Sequence, residues 1–289
     1  LLDSHLDEIS LRVTNFKDGF IIATRINGKP GLDVSLLMGK DIIILTKDKP
    51  IYGVTSMPSE HEFSKNKNPA VFDDMIKNGY LYIDIGAKNK KQVEKLITIG
   101  DPIIFRRNYY TIQNDRIVST AIDNHAGVFI LSQILKIIYK LQKKYPTFNN
   151  LNLIGCFSAR EEVGHLSFNK DYANLDQIIV IDSDIENDNP LSYKKHLSPL
   201  KLDNGPIINR NTDSTDRVSQ DFIKIAKKSK IPYQINYSTC GGTNNDSYGR
   251  YNTENQFISY PVRNLHSSIE IVDYDDIENT IILIVQYLY

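Results

Sequence analysis

One stretch, Ser119-Thr-Ala-Ile-Asp-Asn-His-Ala-Gly127, constrains this chain more than any other, because a long apolar-striped segment starts at its end. Val128, Leu131, Leu135, Ile138 and Leu141 recur at helical spacing, which predicts a helix over 123–143. An Asp at the head of such a helix has a bland reading: Asp123 caps it by accepting hydrogen bonds from its first free N–H groups. Two later segments change that reading. Residues 151–159 form an apolar run of strand length that leads directly into Arg160-Glu-Glu-Val-Gly164, and 177–181 form another that ends in Asp182. In open α/β sheets, ligands gather outside the carboxyl ends of the strands, so three carboxylate positions are directed toward one rim. Acids crowded there repel each other unless a positive charge sits between them. A divalent metal ion is the simplest such charge.

The chain's 289 residues are enough for one large domain or a main domain with an insert. With 34 basic and 35 acidic residues the net charge is -1, which argues against a nucleic-acid or anionic-membrane surface. No run approaches the roughly 18 uninterrupted apolar residues of a membrane span. Cys156 and Cys240 lack CxxC spacing and are too few for a disulfide framework, which favours a reducing, cytoplasmic setting. Cys156 lies in an apolar strand and reads as a buried, inert thiol. Leu1-Leu2-Asp3 reads as the tail of a strand already under way, so residues are expected to precede it.

From Ile9 to about Ile117 the texture is β-rich. Strands are expected over 11–15 and 20–26 around a Lys17-Asp18-Gly19 turn, over 41–46 and 51–57, and over 80–85, 102–106 and 110–113. A helix over 90–97 interrupts them, and the polar 59–70 segment reads as a solvated loop. Many short strands at this spacing predict a small closed barrel. Beyond 117, strands and helices alternate: strands at 151–159, 177–182, 233–237 and 256–262, with helices at 215–228 and 275–289. Ser4-His5-Leu6-Asp7-Glu8 stands before the barrel, with an acid two residues beyond the His to orient its ring. The expected fold is therefore α/β, a mixed sheet flanked by helices and formed by 1–8 and 117–289, with an inserted barrel domain at 9–116.

Taken together, His5-Leu-Asp-Glu-Ile9, Ala121-Ile-Asp-Asn-His-Ala-Gly127, Ala159-Arg-Glu-Glu-Val-Gly164, Ile181-Asp182-Ser, Gly241-Gly-Thr-Asn-Asn245 and Arg263-Asn-Leu-His-Ser-Ser-Ile-Glu270 resemble the ordered motifs of the M42 family of dinuclear metallo-aminopeptidases, relatives of the tetrahedral aminopeptidases. The resemblance spans nearly the whole chain and implies a zinc-peptidase-type catalytic domain. It makes Asp123 the carboxylate that bridges two divalent metal ions, with His5 and Asp182 completing one site and Glu162 and His266 the other. Glu161 is then the general base and Asp7 the acid that orients His5. Mixed His and carboxylate ligands suit zinc, with cobalt or manganese as alternatives. Peptides are the implied substrates, and a homo-oligomer, up to a dodecamer, the implied assembly, with the inserted barrel as the place for subunit contacts.

Departures from the family pattern are equally readable. Asn124-His125 stands where the motif has Asp-Arg, Arg160 where it has Gln, and Asn244 where it has Asp. None of these is an implied ligand. They motivate a second reading, a non-catalytic member kept as an assembly scaffold; a third is a metal-dependent deacylase built on the same centre. A glycosidase, which needs two carboxyls flanking one bond, has no use for two histidines and a shared Asp.

Overall fold

The computed structural model describes residues 1–25, 33–62, 70–148, 150–164, 170–192, 199–237, 242–251 and 253–289. In chain order the strands and helices are β1 (Leu2–His5), β2 (Leu11–Lys17), β3 (Phe20–Arg25), β4 (Asp41–Leu45), β5 (Pro50–Thr55), α1 (Ala70–Asn78), β6 (Tyr80–Asp84), α2 (Lys90–Glu94) and β7 (Pro102–Phe105). These are followed by β8 (Tyr109–Ile112), β9 (Arg116–Ser119), α3 (Ile122–Lys144), β10 (Gly155–Ser158), β11 (Gln177–Ile185), β12 (Ile207–Asn209) and α4 (Asp216–Ser229). The chain closes with β13 (Gln234–Asn236), α5 (Asn244–Tyr248), β14 (Glu254–Val262), β15 (Glu270–Asp273) and α6 (Tyr274–Leu288). Two compact units result: Leu1–Glu8 with Tyr109–Leu265 and Ile269–Tyr289, and Ile9–Asn108 with His266–Ser268.

The second unit contains a closed six-stranded barrel in the order β2-β3-β6-β5-β4-β7, as the strand spacing predicts. Successive side chains on a strand point to opposite faces, and buried pairs two residues apart fill the interior: Leu11 and Val13, Ile21 and Ala23, Ile42 and Ile44, Leu81 and Ile83, Ile103 and Phe105. Closure leaves no unpaired edge between the first and last strands, because β7 pairs with β2.

In the first unit a six-stranded sheet runs β10-β1-β11-β14-β12-β13. β10, β1, β11 and β14 are parallel, whereas β12 runs antiparallel to β14. The first half of β11 carries an apolar run, Ile178–Ile181, because both of its faces are covered there. Ile179 and Ile181 enter the core shared with α3, α4 and α6, while Ile178 and Val180 pack with Tyr248 and Phe257. The apolar stripe of α3 is centred on Ile130, Leu131, Ile134 and Ile138. Phe222 of α4 stacks on Tyr287 of α6 with ring centroids 4.0 Å apart. A separate three-stranded sheet, β15-β9-β8, completes this unit.

Several sequence expectations need correction. The 151–159 strand shrinks to Gly155–Ser158, and Asp182 lies inside β11, which runs three residues beyond it and pairs with β14 along its full length. The 90–97 helix stops at Glu94. Helix α1, with Met75 buried and Phe72 and Ile76 half-buried, is an element that the sequence expectations do not include. Residues 63–69 of the expected polar loop lie outside the described residues, as do Cys240 and Gly241. Cys156 is only partly buried; burial, with Asp3 beside it, pushes its thiol up to about 11, which keeps it inert. Among the described residues no helix is long and apolar enough to cross a membrane.

Asp276 ties α6 to the turn ahead of β12 by accepting hydrogen bonds from the N–H groups of Asp203 (2.8 Å) and Gly205 (2.6 Å). Burial pushes its carboxyl up to about 7, reinforced by the charges of Asp273 and Asp203 and opposed by those two hydrogen bonds. The folded chain therefore holds this proton where the unfolded chain has lost it, so the group's contribution to stability is full at low pH and is lost as pH rises through about 7. Asp276→Asn removes the charge and keeps an acceptor oxygen. It is expected to gain stability over the wild type as pH rises from 5 to 8, as measured by denaturant melts of both proteins; parallel curves would refute this.

Candidate metal centre

His5 is the last residue of β1, whose four residues are all buried between β10 and β11. Its Nδ1 lies 2.9 Å from the backbone oxygen of Asp7. A carbonyl oxygen only accepts, so Nδ1 carries the proton and Nε2 is left as an acceptor in the neutral ring. That Nε2 faces acids: 3.2 Å from Asp123 Oδ1, 3.4 Å from Asp182 Oδ1 and 4.0 Å from Glu161 Oε2.

Asp123 arrives from the start of α3, where its backbone and that of Asn124 depart from helical angles and their shared peptide is cis. Its N–H donates to Glu270 Oε2 at 3.0 Å. Asp182 enters from β11, and its Oδ1 also accepts from the N–H of Ser183 at 2.7 Å.

Glu161 and Glu162 lie on a turn after β10, with Arg160 at φ 75° ahead of it and Gly164 N–H closing onto Glu161 O at 2.7 Å. The carboxylate of Asp7 accepts from both of their N–H groups, Oδ1 from Glu161 and Oδ2 from Glu162, at 3.2 Å each. Asp7 thus meets His5 chiefly through its carbonyl, with its carboxylate 3.6 Å from Nδ1, and uses that carboxylate to hold the Glu pair. His266, at φ 60°, follows the point where β14 leaves the sheet. The isolated bridge from Arg263 to Ile271 closes that turn, and Arg263 is anchored by Glu186 (3.1 Å) and Asp188 (2.7 Å).

Donor atoms of His5, Asp123 and Asp182 lie within 4.8 Å of one another, and by the same measure Asp123, Glu162 and His266 form a second set that shares Asp123. A third set, Asp203, Asp273 and Asp275, has no nitrogen donor, and Asp273 is engaged by Arg116 Nε at 3.3 Å.

The electrostatics fit a cation. Burial, with the charge of Asp182 next, pushes Glu161 up to about 9, and burial pushes Asp182 up to about 6 against the pull of His5. Burial lowers His5, yet Asp182 and Asp123 outweigh it and drive its pKa well above the usual range. The chain alone can neutralise these acids only by holding protons. Divalent ions held by an imidazole nitrogen and carboxylate oxygens do the same with the groups ionised.

Sequence reasoning missed Asn124 and Tyr260. Asn124 Nδ2 donates to Ile181 O at 2.9 Å, and Tyr260 OH donates to Asn124 Oδ1 at 2.8 Å. Neither residue is of a ligand type, so only the oddity of an Asn beside Asp123 marked the place.

Comparison with known proteins places this geometry among relatives. The model of the M42 glutamyl aminopeptidase family matches residues 1–283. A putative aminopeptidase of Acetivibrio thermocellus is 27% identical over 294 residues, covering 99% of this chain and 81% of that protein. Among solved structures, the aminopeptidase APDkam598 of the archaeon Desulfurococcus kamchatkensis aligns with a TM-score of 0.80 at 25% identity, covering 99% of this chain and 78% of that one. The Pyrococcus horikoshii TET1 peptidase, which can assemble into a tetrahedron or a large octahedral shell, shares the fold with a TM-score of 0.77 at 24% identity, covering 100% and 82%.

If the cluster is a metal centre, adding zinc, cobalt or manganese to chelator-treated protein is expected to raise its melting temperature. An ion at 100 times its dissociation constant contributes about 2.7 kcal/mol per site. A melting temperature indifferent to all three ions would rule the cluster out.

Proposed function

Because this chain belongs to the M42 glutamyl aminopeptidase family, whose activity makes it a metallo-aminopeptidase acting on peptides, we propose that it removes N-terminal residues at a centre of two divalent ions, with Glu161 as the general base. The observation that carries this reading is His5, whose Nδ1 donates to the Asp7 carbonyl and whose Nε2 is turned toward Asp123 and Asp182. In the proposed centre Asp123 is shared, His5 and Asp182 hold one ion, and Glu162 and His266 hold the other; the two donor sets that share Asp123 support this assignment. The catalytic domain is assigned to 1–8 and 117–289 and the barrel insert to 9–116.

When bound, two such ions polarise the scissile carbonyl and acidify an attacking water. The protein's own part is proton transfer and positioning. Glu161, close enough to the cluster to feel His5 at 4.0 Å, takes the proton of the attacking water and passes it to the leaving amine. Burial suits it to that task, since ions beside it lower a pKa that burial has raised, bringing it toward the working range. Asp7 keeps Glu161 and Glu162 on separate duties by holding both of their N–H groups, so that one side chain serves the water and the other an ion.

Zinc is the proposed native metal, with cobalt and manganese as alternatives, because the donor set has no thiolate and is mixed in nitrogen and oxygen. Assembly into a homo-oligomer is proposed from the likeness to TET1, with the barrel carrying subunit contacts. Its exposed Leu36, Tyr52, Val54 and Met57 support that choice. A monomeric mass at micromolar concentration would remove it.

Metal content of protein purified without chelator, paired with a panel of aminoacyl reporters, tests the function directly. About two transition-metal ions per chain with hydrolysis are expected; no activity after zinc, cobalt or manganese is added back would favour the scaffold reading. Hydrolysis of N-acylated amino acids in preference to free-amine peptides would favour the deacylase. Glu161→Gln is expected to keep both ions and lose roughly 10²- to 10⁴-fold in kcat, whereas Asp123→Asn is expected to lose metal. Undiminished turnover in Glu161→Gln would reject Glu161 as the base.

A further inference from the structure

We propose that Asn124 is a positioning residue of this centre: its side-chain amide, held by Tyr260, sets the spacing of the three elements that carry His5, Asp123 and Asp182. The inference rests on reading that cluster as a metal centre.

The amide works at both ends. Nδ2 donates to the backbone oxygen of Ile181 at 2.9 Å, and Oδ1 accepts from Tyr260 OH at 2.8 Å. The same Tyr260 oxygen accepts from the N–H of Gly127 at 3.1 Å and lies 3.1 Å from the oxygen of Ile122. Asn124, Ile181 and Tyr260 are all fully buried, so no water competes for these bonds. An unmade hydrogen bond in such a place costs about 1–3 kcal/mol.

What these contacts touch gives the network its meaning. Asn124 follows Asp123, and Ile181 precedes Asp182. The first turn of α3 also comes down on β1. A Cβ added to Gly127 would lie 2.6 Å from Ser4 Oγ and closer still to Asn124 Oδ1, so only glycine leaves space for both groups. Ser4 precedes His5. One side chain and the glycine beneath it therefore sit one residue away from each member of the set His5, Asp123 and Asp182. They join three segments that are far apart in the sequence.

The residue type matters as much as the place. A carboxylate at 124 has only acceptors and could not donate to Ile181 O. It would also add a buried negative charge directly beside Asp123, within a cluster already crowded with acids. An amide donates, accepts and adds no charge. The Asn that departs from the family motif is thus matched to the carbonyl and the hydroxyl that meet it here.

The test uses the full chain. Zinc dissociation constants are measured by competition with a chelator for the wild type, Asn124→Asp, Asn124→Ala and Tyr260→Phe, together with the visible absorption of the cobalt-loaded proteins and melting temperatures in chelator. Asn124→Asp and Asn124→Ala are expected to weaken one of the two bound ions by roughly 10- to 100-fold and to shift the cobalt bands. Tyr260→Phe, the mildest change and the one surest to fold, is expected to move both readouts the same way by less. Combined with Asn124→Ala it should add less than the sum, because both act through one network. Variants that lose melting temperature but keep both zinc affinities and the cobalt spectrum would show an ordinary core contact and overturn the proposal. A wild-type chain that binds no ion would overturn the metal-centre reading and this inference with it, an outcome distinct from two ions bound equally by every variant.

Discussion

The bond from His5 Nδ1 to the Asp7 carbonyl governs the chemistry of the cluster around it. It commits the ring's one proton in the neutral state and points the bare nitrogen at Asp123 and Asp182. Two consequences follow. With its carbonyl bound to His5, Asp7 keeps its carboxylate for the N–H groups of Glu161 and Glu162, so one residue orients the imidazole and fixes the Glu pair. The acids facing Nε2 stay ionised in a buried setting only beside a positive charge, the imidazolium itself or a cation. The same bond that orients the ring thus sets Nε2 against a crowd of acids.

The fold brings these groups together by ordinary means. β1 is four residues long and wholly buried, flanked on both sides by parallel strands, which leaves His5 little freedom in the direction it leaves the sheet. β11 is covered on both faces and paired to β14 over nine residues, so Asp182 is a rigid mount rather than a loop residue. Placing Asp182 inside a strand, three residues before its end, makes its position depend on sheet register, which a buried sheet holds firmly. Glu161, Glu162 and His266 come instead from turns. Both turns carry non-glycine residues at positive φ, Arg160 in one and Asn264 and His266 in the other, a backbone conformation that persists only where its surroundings impose it.

Legibility in the sequence follows from the same distinction. The barrel could be read because its strands alternate strictly, Leu11 with Val13 and Ile42 with Ile44, and the major helix because its stripe is long. The ligand types were readable because His and acids standing where apolar runs end are conspicuous. What escaped was set by tertiary contact. α1 is nine residues long, with Met75 its one fully buried residue, so its stripe is short. The extent of β11 beyond Asp182 depends on Ser183, Asp184 and Ile185 finding Tyr260, Pro261 and Val262 across the ladder, and no local pattern in Asp-Ser-Asp announces that. The bond from Asp123 N–H to Glu270 is likewise set by tertiary contact between residues distant in sequence. Tyr260 escaped because a phenol is unremarkable in a sequence until its partners are found, and Asn124, readable only as a departure, gained a role once the Ile181 carbonyl was found opposite it.

Asn244 shows that the replacement at 124 is part of a pattern. Buried at the start of α5, its Nδ2 donates to Asp3 Oδ2 and to Ser158 Oγ, each at 2.8 Å. Asp3 lies on β1 two residues before His5, fully buried, with its carboxyl raised by burial and eased by the hydrogen bonds of Ser158 and Asn244. A carboxylate at 244 would oppose Asp3 across that distance; an amide joins β1 and β10 to α5 at no cost in charge. In both places where the sequence exchanges an expected Asp for Asn, the side chain donates to an oxygen that a carboxylate could not have served. The exchange therefore keeps negative charge out of the surrounding interior and confines it to the cluster, where an ion can balance it. Loss of an acid beside a ligand, read from sequence alone, looks like decay of a site; read with its partners, it is a way of holding the same site with less buried charge.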